Sequence, residues 1–282
     1  LWLYGGESLY NEDHNFVLPP DVVHEDFLIK ALQYFVGSFS SHDPQVIMNQ
    51  AIDFIRVNKD KINKMRSMFQ KVPEMIGSSE GVVFSIGPNL VLKIFRDHVV
   101  ATKAKEAIKR LHTEPSIAKT EAMIYDVDVL GKFMGDHIYY LIMEKMQPIT
   151  MLKDVGRRDA SYNIIRKISR YIILTITDNK YEYDLLKDKS NLIKDDISPY
   201  VKKIELAVRA ECGSQIQYVE NDLHLKKSWL SSFVEEIIMK YITGRGDLHM
   251  GNLGVTNYGE LRFFDPAHNM WRDKLNRPYI NS

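Results

Sequence analysis

The chain has 282 residues, of which 45% are apolar and 26% charged, enough for a sizeable core and ordinary for a globular protein. Lys plus Arg and Asp plus Glu both number 37, so no net field selects a polyanion, and nucleic acid is not the default partner. The single cysteine, Cys212, excludes an internal disulfide and suits a reducing, cytoplasmic compartment. No apolar run approaches the ~18 residues that span a bilayer, so no membrane partner is expected. The opening LWLYGGESLY has neither the basic nor the apolar region of a signal peptide. Residues 1–22 read as irregular. Phe27, Leu28, Leu32, Phe35 and Val36 then recur at helical spacing and predict a helix over 24–38. A second helical stretch starts with Asp43 as N-cap and Pro44 at its first position. Val46, Ile47, Ala51, Phe54, Ile55, Ile62 and Met65 carry its period, and Pro73 stops it. Nothing in residues 1–75 suggests chemistry.

From residue 76 the pattern changes to strands. GVVFSIGPNLVLKIF reads as two strands joined by a turn at Gly87-Pro88-Asn89, and a helix follows at roughly 98–112. MIYDVDVLGKFMGDHIYYLIMEKM gives two more strands with a turn at Gly135-Asp136. Residues 150–242 read as mainly helical, with a charged, weakly patterned interruption around 178–224. The last strong helix, 226–242, is expected to bury Trp229, Leu230, Phe233, Ile237 and Tyr241. A small sheet with one helix, followed by a helical lobe, is an α+β, two-lobed pattern.

Four stretches carry residue types suited to holding a triphosphate and metal ions, where positioning and charge neutralisation matter more than covalent chemistry. In GSSEGVVFS, Gly77, Ser79 and Gly81 could let backbone N–H groups approach phosphate oxygens, or simply make a hairpin turn. Lys93 interrupts the apolar run LVLKIF; either its side of the strand is solvated or it has an anionic partner. Glu106 on the next helix is the preferred partner and Glu121 the alternative. In GDLHMGN, Asp247 and Asn252 are an Asx-rich turn, or a proton acceptor and a metal ligand. His249 reads as a loop-packing histidine, since carboxylate and amide oxygens suit Mg²⁺ better. In LRFFDP, Asp265 either closes a strand as an Asp-Pro turn or returns by a hairpin around Asn257-Tyr258-Gly259 to the Asn252 loop.

Taken together, GDLHMGN and FFDP resemble the catalytic and metal-binding loops of the protein-kinase-like superfamily. The wording GDLHxGN is similar to aminoglycoside phosphotransferases. Asp-Pro in place of Asp-Phe-Gly, with PSIAKTEAMIYDVDV before the fourth strand, looks most like small protein kinases of tailed bacteriophages. The resemblance covers roughly residues 76–270. It implies a helical extension over 1–75, an N-lobe over 76–146 and a C-lobe over 147–282, truncated because only 16 residues follow Pro266.

It further implies an ATP-dependent kinase, most similar to a Ser/Thr protein kinase, with ATP and Mg²⁺ as cofactors. The acceptor would be a protein or a small-molecule hydroxyl, in host cytoplasm or in association with a virion. A non-catalytic, virion-structural role for the same fold is the third expectation. Asp247 matches the catalytic aspartate, and Asn252 and Asp265 match the metal ligands. Lys93 matches the lysine on the α- and β-phosphates, with Glu106 as its ion-pair partner. Residues 142–146, IMEKM, match the hinge, where Met143 would stand at the start and the backbone of Glu144 and Met146 would meet adenine. The departures are Arg245 in place of the usual histidine and Pro266 in place of phenylalanine.

Overall fold

The computed structural model describes residues 18–36, 43–78, 81–113, 124–149, 155–176, 197–243 and 252–263. A short 3₁₀ turn at Val23–Glu25 leads into α1 (Asp26–Val36), and α2 (Pro44–Val57) and α3 (Lys59–Arg66) follow. The Asp43 side chain accepts the Gln45 N–H at 2.9 Å, so the expected N-cap is formed ahead of Pro44.

The first sheet contains β1 (Glu74–Ser78), β2 (Gly81–Ser85), β3 (Leu90–Phe95), β4 (Ile124–Phe133) and β5 (Asp136–Glu144). It is antiparallel throughout, in the order β1-β2-β3-β5-β4. A helix, α4 (His98–Thr113), follows β3 in the stretch before β4. The expected turn at Gly87-Pro88-Asn89 joins β2 to β3. The β4–β5 turn lies one residue earlier than expected, at Met134 (φ +50) and Gly135 (φ +96). Two successive positive φ values are what a two-residue hairpin loop needs to match strand twist.

Both faces of this sheet are covered. Phe84, Leu92, Ile94, Tyr140 and Ile142 point into α1–α3 and share one core with Phe27, Leu28, Phe54 and Met65. Val91, Phe95, Leu141 and Met143 point the other way, onto α4. Alternation along each strand sends neighbouring residues to opposite layers. Phe27 holds Phe69 and Phe84 edge-to-face, both at 5.6 Å, so the helical layer grips the sheet by aromatic contacts as well as by area.

The second half begins with β6 (Met146–Pro148) and α5 (Val155–Ile176), α6 (Ser198–Asp222) and α7 (Trp229–Thr243). The stretch read as weakly patterned therefore contains a long helix. Its buried stripe of Val201, Ile204, Val208, Cys212, Ile216 and Val219 is narrow and flanked by charges, and the helix kinks at Cys212. β7 (Leu253–Thr256) and β8 (Leu261–Phe263) complete a small antiparallel sheet in the order β6-β7-β8. Its residues Leu253, Leu261 and Phe263 join the helical core around Trp229 and Phe233. Among the described residues, no helix is long and apolar enough to cross a membrane.

Candidate functional site

Lys93 sits on the inner row of the first sheet, opposite Val83 on β2 and Leu141 on β5. That row faces α4, not the helical layer of residues 18–69. The side chain is half-buried, and its Nζ lies 5.9 Å from the centroid of the Phe95 ring two residues along the same face. No carboxylate among the described residues forms an ion pair with it. A cation–π contact offsets part of the desolvation, by ~0.5–1 kcal/mol, and water reaches the exposed part of the side chain.

The expected Lys93–Glu106 pair is not formed. α4 packs on the sheet through Val100, Ala101, Ala104 and Ala107. At 3.6 residues per turn, Glu106 lies about 150° round the helix from the middle of that face. It is accordingly exposed, while Lys105 reaches Asp128 on β4 at 3.0 Å. Glu121, the alternative partner, is outside the described residues.

The two glycines of the first hairpin serve different ends. A Cβ on Gly81 would meet Ile94 O at 2.5 Å and Phe95 Cβ at 2.9 Å, so packing of β2 on β3 requires glycine there. A Cβ on Gly77 would meet nothing within 4 Å, and β1 carries an irregular register between Met75 and Gly77. Gly77 therefore has open space beside its backbone, and nothing in the fold demands a glycine. Ser79 lies outside the described residues.

A connector of one residue, Lys145, joins the two sheets. Glu144 ends β5, and Met146 starts β6, whose register with β7 is Met146 opposite Thr256 and Pro148 opposite Gly254. Asn252, half-buried, immediately precedes β7. The sheet that carries Lys93 thus continues through Lys145 into β6, which pairs with Gly254–Thr256 of β7, two residues past Asn252. Beside the connector, Val91 and Met143 are buried, and Val83 and Met146 are half-buried at the margin of the same apolar cluster. Burial raises the Glu144 carboxyl above the usual range, against a smaller opposing pull from Arg262.

Asp247 and Asp265 lie outside the described residues. The strand leading towards Asp265 is nevertheless firmly seated. Leu253 pairs with Phe263, and the Phe263 ring stacks on Phe233 of α7 at 5.9 Å and 13°. Glu236 of α7 is fully buried and accepts the Phe263 N–H through Oε1 at 3.1 Å, beside Lys240 at 3.7 Å. Burial pushes its carboxyl up, opposed by Lys240 and Arg262. The sequence reading passed over Glu236 and Lys240. Their signal was available, because both fall on the apolar side of a helix that also carries Phe233 and Ile237.

Among the described residues, no group of three or more His, Cys, Asp or Glu side chains is placed to hold a metal ion. Asn252 is the expected ligand within them. Compared with family profiles, with curated proteins and with solved structures, the chain matches none.

Proposed function

We propose that the chain is an ATP-dependent phosphotransferase of the protein-kinase-like kind, acting on a hydroxyl group. The observation that carries this reading is the β6–β7 pairing. It seats the strand that follows Asn252 against the connector leaving the Lys93 sheet. Two motifs separated by more than a hundred and fifty residues are thereby joined through the β3–β5 ladder, Lys145 and the β6–β7 ladder.

The residues present fit Mg·ATP in three respects. Lys93 is a half-buried cation with no carboxylate partner among the described residues, as a group reserved for an anion would be. Val83, Val91, Met143 and Met146 offer an apolar margin beside main-chain groups at 144–146, suited to a flat base. Gly77 leaves its backbone open to approach. Lys93 would meet the phosphates, Asn252 and Asp265 would hold Mg²⁺, and Asp247 would orient or accept the proton of the acceptor hydroxyl. The metal, when bound, supplies neutralisation of phosphate charge.

A protein hydroxyl is the favoured acceptor, on the Asp-Pro wording at 265–266. The GDLHMGN wording favours a small-molecule hydroxyl as the second reading. The deciding measurement is thermal unfolding with and without millimolar Mg·ATP, since a ligand specific to the folded state raises the midpoint by mass action. An unchanged midpoint in folded protein would remove the nucleotide from the reading. Transfer of labelled phosphate to proteins, or to small alcohols and aminoglycosides, then separates the two acceptors.

A further inference from the structure

The β2–β3 turn of the first sheet and the β7–β8 turn of the second meet beside the connector. Asn257 Nδ2 donates to Pro88 O at 3.0 Å and to Asn89 Oδ1 at 2.5 Å. Asn89 Nδ2 donates to the Tyr258 hydroxyl at 3.4 Å. Asn89 is tied to the connector as well, because its main-chain O accepts the Lys145 N–H at 2.8 Å.

Each turn is also held by its own half of the molecule. The N–H groups of Gln70 and Lys71 both donate to Ile86 O, at 2.8 and 3.0 Å, and the Gln70 side chain lies against Gly87 where a Cβ would stand. On the other side, Gly259 adopts φ +74, and its O accepts the Lys226 N–H at 2.9 Å. Lys226 is further ion-paired with Glu260. Two braced turns therefore touch through two asparagine side chains.

We infer that Asn89 and Asn257 are a positioning pair, a strut that sets the angle between the two sheets across residues 144–146 and so the separation of Lys93 from Asn252. Its effect on nucleotide rests on the function proposed above; its effect on the connector does not. Lys145 alone separates the two sheets and acts as a single pivot, and a second contact off that pivot is needed to fix the angle. Asn257 is exposed and Asn89 half-buried, so water competes for these hydrogen bonds and the strut biases the angle instead of locking it. A site whose competent form is populated only in part binds its ligand more weakly by that fraction.

The donor pattern gives a directional test in the full chain. Asn257→Asp sets a carboxylate against two acceptors, Pro88 O and Asn89 Oδ1. Asn89→Asp keeps the acceptor for Asn257, and the Tyr258 hydroxyl can turn to donate to it. Hydrogen exchange without nucleotide should therefore quicken about fivefold at the Lys145 amide in Asn257→Asp and Asn257→Ala, and stay near the parent rate in Asn89→Asp. Amides of the β3–β5 ladder should not respond. The apparent Kd for Mg·ATP should rise by about the same factor in Asn257→Asp while saturated turnover stays within about twofold. An unchanged Lys145 rate, equal disruption by Asn89→Asp, or equal quickening in β3–β5 would overturn the strut. Faster exchange at unchanged Kd would overturn its positioning role. A parent chain that binds no Mg·ATP would sink the nucleotide reading alone, with the exchange pattern still deciding the strut.

Discussion

Glu236 on α7 accepts the main-chain N–H of Phe263 on the edge strand β8, supplying the acceptor that a further strand would otherwise provide. The same carboxylate faces Lys240, and its second oxygen is buried without a hydrogen-bond partner among the described residues. Glu236→Ala would strand both the Phe263 N–H and a buried ammonium. Breaking one side of a buried ion pair costs about 3–5 kcal/mol. A loss near the lower figure is expected in urea unfolding, with the m-value unchanged. Glu236→Gln should cost less, since the amide oxygen still accepts from Phe263. A loss below about 1 kcal/mol in Glu236→Ala would mean that the stacking of Phe263 on Phe233 holds β8 unaided.

The two glycines of the first hairpin make a paired prediction. Gly81→Ala drives a methyl into Ile94 O, and should destabilise by roughly 1–3 kcal/mol through overpacking. Gly77→Ala meets open space and should leave stability within about 0.5 kcal/mol. If the Gly77 backbone approaches phosphate, the alanine variant should weaken Mg·ATP binding all the same. Normal stability with normal affinity would reduce Gly77 to an ordinary strand residue.

On the proposed function, catalysis and binding should separate at two other positions. Asp247→Asn should leave Mg·ATP affinity nearly unchanged and lower turnover by ~10²–10⁴-fold, the range for general acid–base help. On the proposed function, Lys93→Met would remove a phosphate contact made in both ground and transition states, so it should raise the apparent Kd for nucleotide as well. Steady-state kinetics with direct nucleotide titration reads both. Parent-like turnover in Asp247→Asn would leave that loop a structural turn.

Glu144 gives a pH signature. Its folded pKa is raised, chiefly by burial, so between the unfolded and folded values the folded state holds the extra proton. Stability therefore falls as pH rises through this window, and the penalty is fully present above the folded value. Glu144→Gln should match the parent near pH 3 and exceed it modestly near pH 8, since Arg262 returns part of the burial cost. Urea midpoints at the two pH values measure this. A variant less stable than the parent at pH 8 would show that the Arg262 attraction outweighs burial.

Much of the fold was legible because its signals are local. Asp43-Pro44 marked a helix start, Gly87-Pro88-Asn89 marked a turn, and the spacing from Phe27 to Val36 marked a helix. The strand β1 was missed because EMIGS is an edge strand, exposed at Glu74, Met75 and Ile76, with no alternation to read. Within the site, Lys93 was legible as a charge inside an apolar strand. Glu106 was misjudged as its partner because sequence order gives the right helix but not its rotation on the sheet. The asparagine strut was beyond reach: Asn89 and Asn257 are 168 residues apart, and each looks like ordinary turn chemistry.

The helical layer before β1 has a practical consequence for any attempt to isolate the nucleotide-proposed half. A fragment started at β1 would leave Val82, Phe84, Leu92, Ile94, Leu130, Phe133 and Ile142 bare on one side of a five-stranded sheet. A contiguous apolar surface of that kind, next to the unpaired edge of β1, invites association between copies. Expression boundaries drawn by motif alone would yield inclusion bodies, whereas those drawn ahead of Val22 keep the sheet's own lining attached.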